Sequence, residues 1–167
     1  IYAADNGARV INLSLGGPGL ANNETLKGAV NYAYGKSCLL VAAAGNCDPS
    51  CYEPLYPAAY DHVMAVAATD SSDNRAWFSS YGSYIDVAAP GVSIYSTVHN
   101  NGYGYKDGTS MAAPYVAGLA VLVWSACPDY TNDQIESQIE TTAVDLGTPG
   151  WDPYYGYGRV DAPAALM

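Results

Sequence analysis

Three short apolar runs and one helical pattern organise the first 70 residues. Strands are predicted at residues 9–15, 38–44 and 63–67. The second and third runs are apolar throughout, as in strands that are covered on both faces. A helix is predicted over 24–34, with Asn22 or Asn23 as its cap and Gly35 at its end. Strand, helix and strand in this order indicate a βαβ unit, and therefore an α/β fold with a mostly parallel sheet.

The pattern changes after residue 70. Short segments at 85–88, 93–97 and 103–106 are separated by Pro90-Gly91 and Asn100-Asn101-Gly102, which predicts β-hairpin material at a sheet edge. An amphipathic helix follows at 132–142, with Thr131 as its cap and Ile135 and Ile139 on one face.

The stretch 108–128 carries no charge and approaches the length of a membrane span. It is rich in Ala rather than Leu and Ile, and it contains Ser110, Pro114 and Gly118. A helix that is apolar all round is also typical of the buried centre of a large domain, and we favour that interpretation.

Composition narrows the class of protein. The chain has 167 residues, of which 50% are hydrophobic, so it has enough apolar surface to fold. Six Lys and Arg stand against 16 Asp and Glu, a net charge of −10. So few cations argue against binding to nucleic acid or to an anionic membrane surface, because both need a basic patch. Length alone predicts one domain.

Three local motifs carry possible chemistry. Ser110 opens the apolar helix, where free backbone N–H groups and the positive helix end would stabilise an oxyanion, although such a serine is more often only an N-cap. Asn46 follows an apolar strand at the sheet edge where parallel α/β proteins bind ligands, and the alternative is a turn residue. Ser14 to Gly17 ends another strand and could pair with an extended peptide. A dinucleotide loop is excluded there because the third glycine of GxGxxG is missing.

Together these motifs resemble the subtilisin-like serine proteases, or subtilases. GTSMAAPYVAG (108–118) is similar to the block around their nucleophilic serine, VAAAGN (41–46) to the strand with their oxyanion asparagine, and VINLSLGG (10–17) to their substrate-binding strand. The tail YYGYGRVDAPAAL is similar to their closing segment. The resemblance covers essentially the whole chain, in the family's order. It implies a subtilisin-like three-layer α/β fold.

The resemblance also implies roles for individual residues. Ser110 would be the nucleophile, and the Asn46 side chain with the Ser110 N–H would hold the oxyanion, with Thr109 beside them. Ser14, Leu15 and Gly16 would pair with the substrate backbone. Ala43, Ala44 and Gly45 would line the primary specificity pocket, whose small side chains leave room for a large apolar residue. The carbonyls of Ala58, Tyr60 and Val63 would form a weak structural site for calcium or a monovalent cation, and no cofactor is expected for catalysis.

The family's aspartate and histidine blocks are absent from this sequence. His62 and His99 lie outside any such motif, and we expect neither to be the catalytic base. We therefore expect residues 1–167 to be the C-terminal part of one catalytic domain, inactive alone, whose missing part lies upstream or on a second chain. Its substrate would be a peptide or protein. The alternative is a non-catalytic subtilase-like module used for binding or structure.

Four cysteines in an acidic background rich in Tyr, Asn and Gly favour an oxidising compartment and a secreted protein, although four buried free thiols are the alternative. Cys47 and Cys51, four residues apart, suit a small disulfide loop at the pocket rim. The strand from Cys38 to Asn46 and the helix from Ser110 to Cys127 each span about 26 Å in opposite directions. The second expected disulfide is therefore Cys38–Cys127.

Overall fold

The computed structural model describes residues 1–47 and 54–167, and it is an α/β fold around a parallel sheet. The chain runs through a short helix α1 (Tyr2–Asp5), strand β1 (Val10–Leu13), helix α2 (Glu24–Gly35), and strands β2 (Leu39–Ala43), β3 (Val63–Thr69) and β4 (Val87–Pro90). The hairpin β5 (Ile94–Val98) and β6 (Gly102–Lys106) follows, and then helices α3 (Thr109–Ala126), α4 (Asn132–Thr141) and α5 (Ala162–Ala165).

The four main strands pair in parallel in the order β1-β2-β3-β4. Because side chains alternate across a strand, Leu39 and Val41 pack with α3 on one face, whereas Cys38 and Leu40 pack with α2 on the other. The sheet therefore lies between two helical layers, as expected from the apolar runs. β1 is at one edge of the sheet.

Two sequence predictions change. The segment at 85–88 was expected as hairpin material, but Val87–Pro90 is the fourth parallel strand, and its pairing with β3 follows a connection without a helix. β5 and β6 form a separate two-stranded antiparallel sheet.

The helix caps agree with the sequence. Asn23, rather than Asn22, caps α2 by accepting from the Leu26 N–H. Thr131 caps α4 in a capping box with Gln134.

Helix α3 crosses the sheet and packs on all four main strands. It is long and apolar enough to cross a membrane by length and composition, but half of it is buried within the protein. The other half forms an exposed stripe along one side, with Tyr115, Val121 and Leu122 about half-exposed. Nothing in the described part of the chain covers this stripe, which we call the α3 stripe.

Candidate active site

Three of the predicted segments meet at the C-terminal end of the parallel strands. Leu13 at the end of β1 pairs with Ala42 of β2, and the start of α3 lies across the loops that follow both strands. A cavity of about 420 Å³ opens there. Seven of the predicted site residues line it: Leu15, Gly16, Ala43, Gly45, Asn46, Thr109 and Ser110. The fold thus brings together residues that are up to 95 positions apart.

Two predicted residues do not line the cavity. Ala44 is fully buried with Ala67 and Ala88 on the other face of the sheet, because it alternates with Ala43. Ser14 is exposed, and its Oγ donates to the Ser110 carbonyl at 2.9 Å. Ser14 therefore joins the end of β1 to the first turn of α3.

Ser110 is the second residue of α3. Its Oγ donates to the Ser14 carbonyl at 3.4 Å, a long hydrogen bond that leaves the hydroxyl accessible from the cavity. Its backbone N–H belongs to the first turn of the helix, where N–H groups have no intrahelical acceptor. Within the described residues, no protein acceptor takes that N–H. The positive end of an 18-residue helix therefore faces the cavity at this serine.

The Asn46 side chain is held by Thr109. Asn46 Oδ1 accepts from the Thr109 N–H at 2.9 Å and from the Thr109 hydroxyl at 2.8 Å. The Thr109 hydroxyl oxygen in turn accepts from the Gly45 N–H at 3.1 Å. With its carbonyl oxygen occupied in this way, the amide can offer only its Nδ2 hydrogens to a ligand.

Gly108 gives the Asn46 amide its space. It has φ +152°, and a Cβ at this position would lie 3.1 Å from Asn46 Nδ2. A side chain at Gly108 would therefore meet both backbone strain and the amide. Sequence reasoning did not identify this role, nor the orienting role of Thr109, although both residues stand beside Ser110 in the same motif.

Neither histidine is beside Ser110. His62 stacks on Tyr34 of α2 with ring centroids 3.7 Å apart, and α2 packs on the opposite face of the sheet from α3. His99 is exposed in the turn between β5 and β6, at the far end of the hairpin from the strand end that leads into α3. No hydrogen bond joins either ring to the serine within residues 1–47 and 54–167.

A second cavity has a volume of about 310 Å³, is polar, and lies at the start of β3. The predicted cation ligands Ala58, Tyr60 and Val63 line it together with Asp86 and Glu136. Carboxylate oxygens of Asp86, Glu136 and Glu140 lie within 4.8 Å of one another. No local sequence pattern indicates this cluster, because Asp86 and the two α4 glutamates are about 50 residues apart.

The carboxyls of this cluster have raised pKa values. Burial raises the pKa of Asp86 to about 7. The Ala65 N–H, which donates to the Asp86 carboxylate at 2.6 Å, opposes this rise. Burial, together with the charges of Asp86 and Asp133, raises the pKa of Glu136 to about 7. Burial and then the charge of Glu136 raise the pKa of Glu140 to about 7. Carboxylate and carbonyl oxygens are the ligands that Ca²⁺ prefers, so these donors fit such a cation.

The expected Cys38–Cys127 disulfide is wrong. Both cysteines have free thiols, and the Cys38 Sγ donates to the Ala8 carbonyl at 3.0 Å. Cys38 is buried on the α2 face of the sheet, whereas Cys127 ends α3 on the other face. The lengths of the strand after Cys38 and of the helix before Cys127 predict that both cysteines lie at the same end of the sheet. They do not determine the face on which each cysteine lies. The expected Cys47–Cys51 loop depends on Cys51, which lies outside the described residues.

Comparisons with known proteins agree with this geometry. The model of the Subtilase family matches residues 1–158. The chain is 49% identical over 166 residues to a thermophilic serine proteinase of Bacillus sp. (strain AK1), 48% identical over 166 residues to thermitase of Thermoactinomyces vulgaris, and 46% identical over 168 residues to subtilisin DY of Bacillus licheniformis. Each match covers 99% of this chain, but only 39%, 57% and 60% of these relatives, respectively.

A solved structure shows the same fold. The crystal structure of a lanthipeptide protease superposes with a TM-score of 0.89 at 29% identity, covering 99% of this chain and 62% of the other. The family model, the relatives and the fold agree over nearly the whole sequence. The chain therefore belongs to the subtilase family of serine proteases.

Proposed function

We propose that this chain supplies the nucleophile and the oxyanion hole of a serine endopeptidase. The observation that carries the proposal is the meeting of Ser110, at the start of α3, with an Asn46 amide whose oxygen is held by Thr109. This arrangement fixes two donors, Asn46 Nδ2 and the Ser110 N–H, beside one hydroxyl. Such donors stabilise the charge that develops when a hydroxyl attacks a carbonyl.

In the proposed reaction, Ser110 Oγ forms a bond to the carbonyl carbon of the scissile peptide and gives up its proton to a base. Asn46 Nδ2 and the Ser110 N–H donate to the resulting oxyanion. The tetrahedral intermediate then breaks its C–N bond, and the leaving amine takes the proton back from the base. Water then attacks the carbon of the remaining acyl ester and gives a proton to the base, and the bond from that carbon to Ser110 Oγ breaks as the base returns the proton to the serine.

The base and the carboxylate that orients it would come from sequence beyond this chain, in cis or on a second chain. Two observations support this division. Both described histidines are remote from Ser110, and the chain spans about 40–60% of the length of these relatives. We expect the 167 residues alone to be inactive.

The substrate would be a peptide or protein lying along the residues that follow β1. Leu15 is 60% exposed there, and Gly16 and Gly17 line the cavity beside it. An extended peptide placed against this segment would direct its scissile carbonyl toward Ser110. The relatives and the acidic composition support a secreted protein.

The cavity around Asp86 would hold a structural cation, either calcium or a monovalent ion. Ala58, Tyr60 and Val63 would contribute carbonyl oxygens, and Asp86 and Glu136 would contribute carboxylates. The cation would stabilise the fold and take no part in the reaction.

Labelling of the full-length protein with a fluorophosphonate probe tests the proposed function. We expect one label, on Ser110, and we expect Ser110→Ala to abolish both labelling and peptide hydrolysis. Ser125→Ala is the matched control, because Ser125 lies on the exposed side of the same helix, where its hydroxyl donates to the Val121 carbonyl. The second candidate is a non-catalytic subtilase-like module used for binding or structure. A folded full-length protein whose Ser110 stays unlabelled would establish that candidate instead.

A further inference from the structure

We infer that Leu55 limits the depth of the primary specificity pocket, so that the enzyme prefers small aliphatic side chains at the residue whose carbonyl is attacked. This inference rests on the proposed function and names its substrate class. It also reverses the expectation of a large apolar side chain, which considered only the small residues of the pocket wall.

The two walls of the pocket come from different segments. One wall is formed by Leu15 to Gly17, after β1, and the other by Gly45 to Cys47, after β2. The walls lie next to each other because β1 and β2 are paired. Gly16, Gly17 and Gly45 have no side chains, so they leave a slot between the walls.

Leu55 and Tyr56 close this slot by contacting both walls. Tyr56 forms a two-way backbone bridge with Gly17, in which the Gly17 N–H donates to the Tyr56 carbonyl at 3.0 Å and the Tyr56 N–H donates to the Gly17 carbonyl at 3.3 Å. On the opposite wall, a Cβ at Gly45 would overlap the Leu55 Cδ1 methyl and lie 3.0 Å from its Cγ. Leu55 and Tyr56 therefore form the floor of the pocket, which backbone hydrogen bonds attach to one wall and side-chain packing attaches to the other.

The Leu55 side chain fills the space that Gly45 leaves open. Leu55 is 9% exposed, and what remains accessible lines the cavity. Gly45 has φ +111°, which favours glycine, so this wall cannot easily gain a side chain of its own. The buried Ser80 Oγ lies 3.1 Å from the same Cβ position, so a side chain at Gly45 would be crowded by both Leu55 and Ser80.

The size of the cavity does not by itself imply a deep pocket. Its volume of about 420 Å³ includes the groove past Asn46 and Ser110, in which the substrate backbone would lie. Only the part between Gly17 and Gly45 would receive the side chain, and Leu55 ends that part. A packed floor discriminates by size, because a longer side chain would have to displace it.

Hydrolysis by the full-length enzyme of peptide anilides that differ only at the cleaved residue tests the inference. We expect wild type to have a higher kcat/KM for Ala than for Phe. We expect Leu55→Ala to raise the ratio of kcat/KM for the Phe substrate to kcat/KM for the Ala substrate by about tenfold. This factor is the lower end of the discrimination that one methylene produces in a hydrophobic pocket. Leu55→Val, which removes a single methylene, should raise the ratio less and protects the test against a poorly folded Ala variant.

Leu166→Ala is the matched control. It removes the same atoms from a side chain that is 44% exposed and outside the site, so the ratio should not change. A wild-type enzyme that prefers Phe, or a ratio in both Leu55 variants within twofold of wild type, would overturn the inference. Absence of hydrolysis of every substrate, with no fluorophosphonate labelling, would instead count against the proposed function.

Discussion

Asn46 shows how single residues in this site depend on their neighbours. A side-chain amide carries both an acceptor and donors, and only the donors help to stabilise an oxyanion. Thr109 fixes the orientation of the Asn46 amide, because its N–H and hydroxyl both donate to Asn46 Oδ1 and leave the Nδ2 donors for a ligand. Thr109 is 1% exposed, so these bonds are shielded from competing water. The site is therefore preorganised before any substrate binds.

We expect Asn46→Ala to lower kcat of the full-length enzyme by about 10²–10³ with little change in KM, a magnitude known from subtilisin itself and adopted for this relative. The reason is that, in the proposed role, Asn46 Nδ2 would donate to charge that develops only in the transition state. Steady-state kinetics on one peptide anilide measures the effect, and Asn22→Ala, at an exposed position before α2, is the control. A kcat within fivefold of wild type would show that Asn46 is not an oxyanion donor.

At the scale of elements, α4 brings Glu136 and Glu140 against Asp86, which precedes β4. Their pKa values of about 7 are well above the ordinary values of 3.8 and 4.5. The folded protein therefore holds more protons on this cluster than the unfolded chain does between about pH 4.5 and 7. In that window stability falls as pH rises, because the carboxyls of the unfolded chain ionise freely in water while burial keeps those of the folded cluster protonated.

We expect Tm of the full-length protein in a chelator to decrease as pH rises from about 5 to 8. Glu136→Gln should reduce this decrease, because it removes one of the three titrating groups. Thermal unfolding at several pH values measures both, with Asp129→Asn, at an exposed position, as the control. Parallel curves for wild type and Glu136→Gln would contradict the expectation.

Addition of Ca²⁺ should raise Tm most at the high end of this pH range, because a bound cation neutralises the ionised carboxylates. If Ca²⁺ leaves the wild-type curve unchanged, the proposed cation site is wrong, while the pH dependence of the cluster stands.

At the scale of the whole molecule, two surfaces expose groups that folded proteins usually cover. Among the described strands β1 is at the edge, with no strand paired on its outer side, and the α3 stripe exposes apolar side chains. Both would be covered if the part of the catalytic domain that we propose lies beyond this chain extended the sheet past β1 and packed against α3. The length of the relatives is consistent with such a part.

We expect the 167-residue chain alone to bind a hydrophobic dye and to aggregate, and the double change Val121→Gln with Leu122→Gln to reduce both effects. In the full-length protein the same double change should lower Tm by several degrees, because it would place two amides in an interface. Tyr103→Gln, at an exposed aromatic outside the stripe, is the control. An unchanged Tm in the full-length protein would show that the stripe is not covered there.

The sequence by itself determined the order of elements and the three motifs of the site. Apolar runs and capping residues depend on neighbours within a few positions, so they predicted β2, β3, α2 and α4 closely. The resemblance to subtilases placed Ser110 and Asn46 at one site from the order of their motifs alone.

Only the tertiary structure decided which side chains share a face and which segments meet. It placed Cys38 and Cys127 on opposite faces of the sheet, turned Ala44 away from the cavity, and set Leu55 against Gly45 at its floor. It also joined Asp86 to two glutamates about 50 residues away. These outcomes depend on strand pairing and on the alternation of side chains across the sheet, and contacts between distant segments leave no local pattern in the sequence.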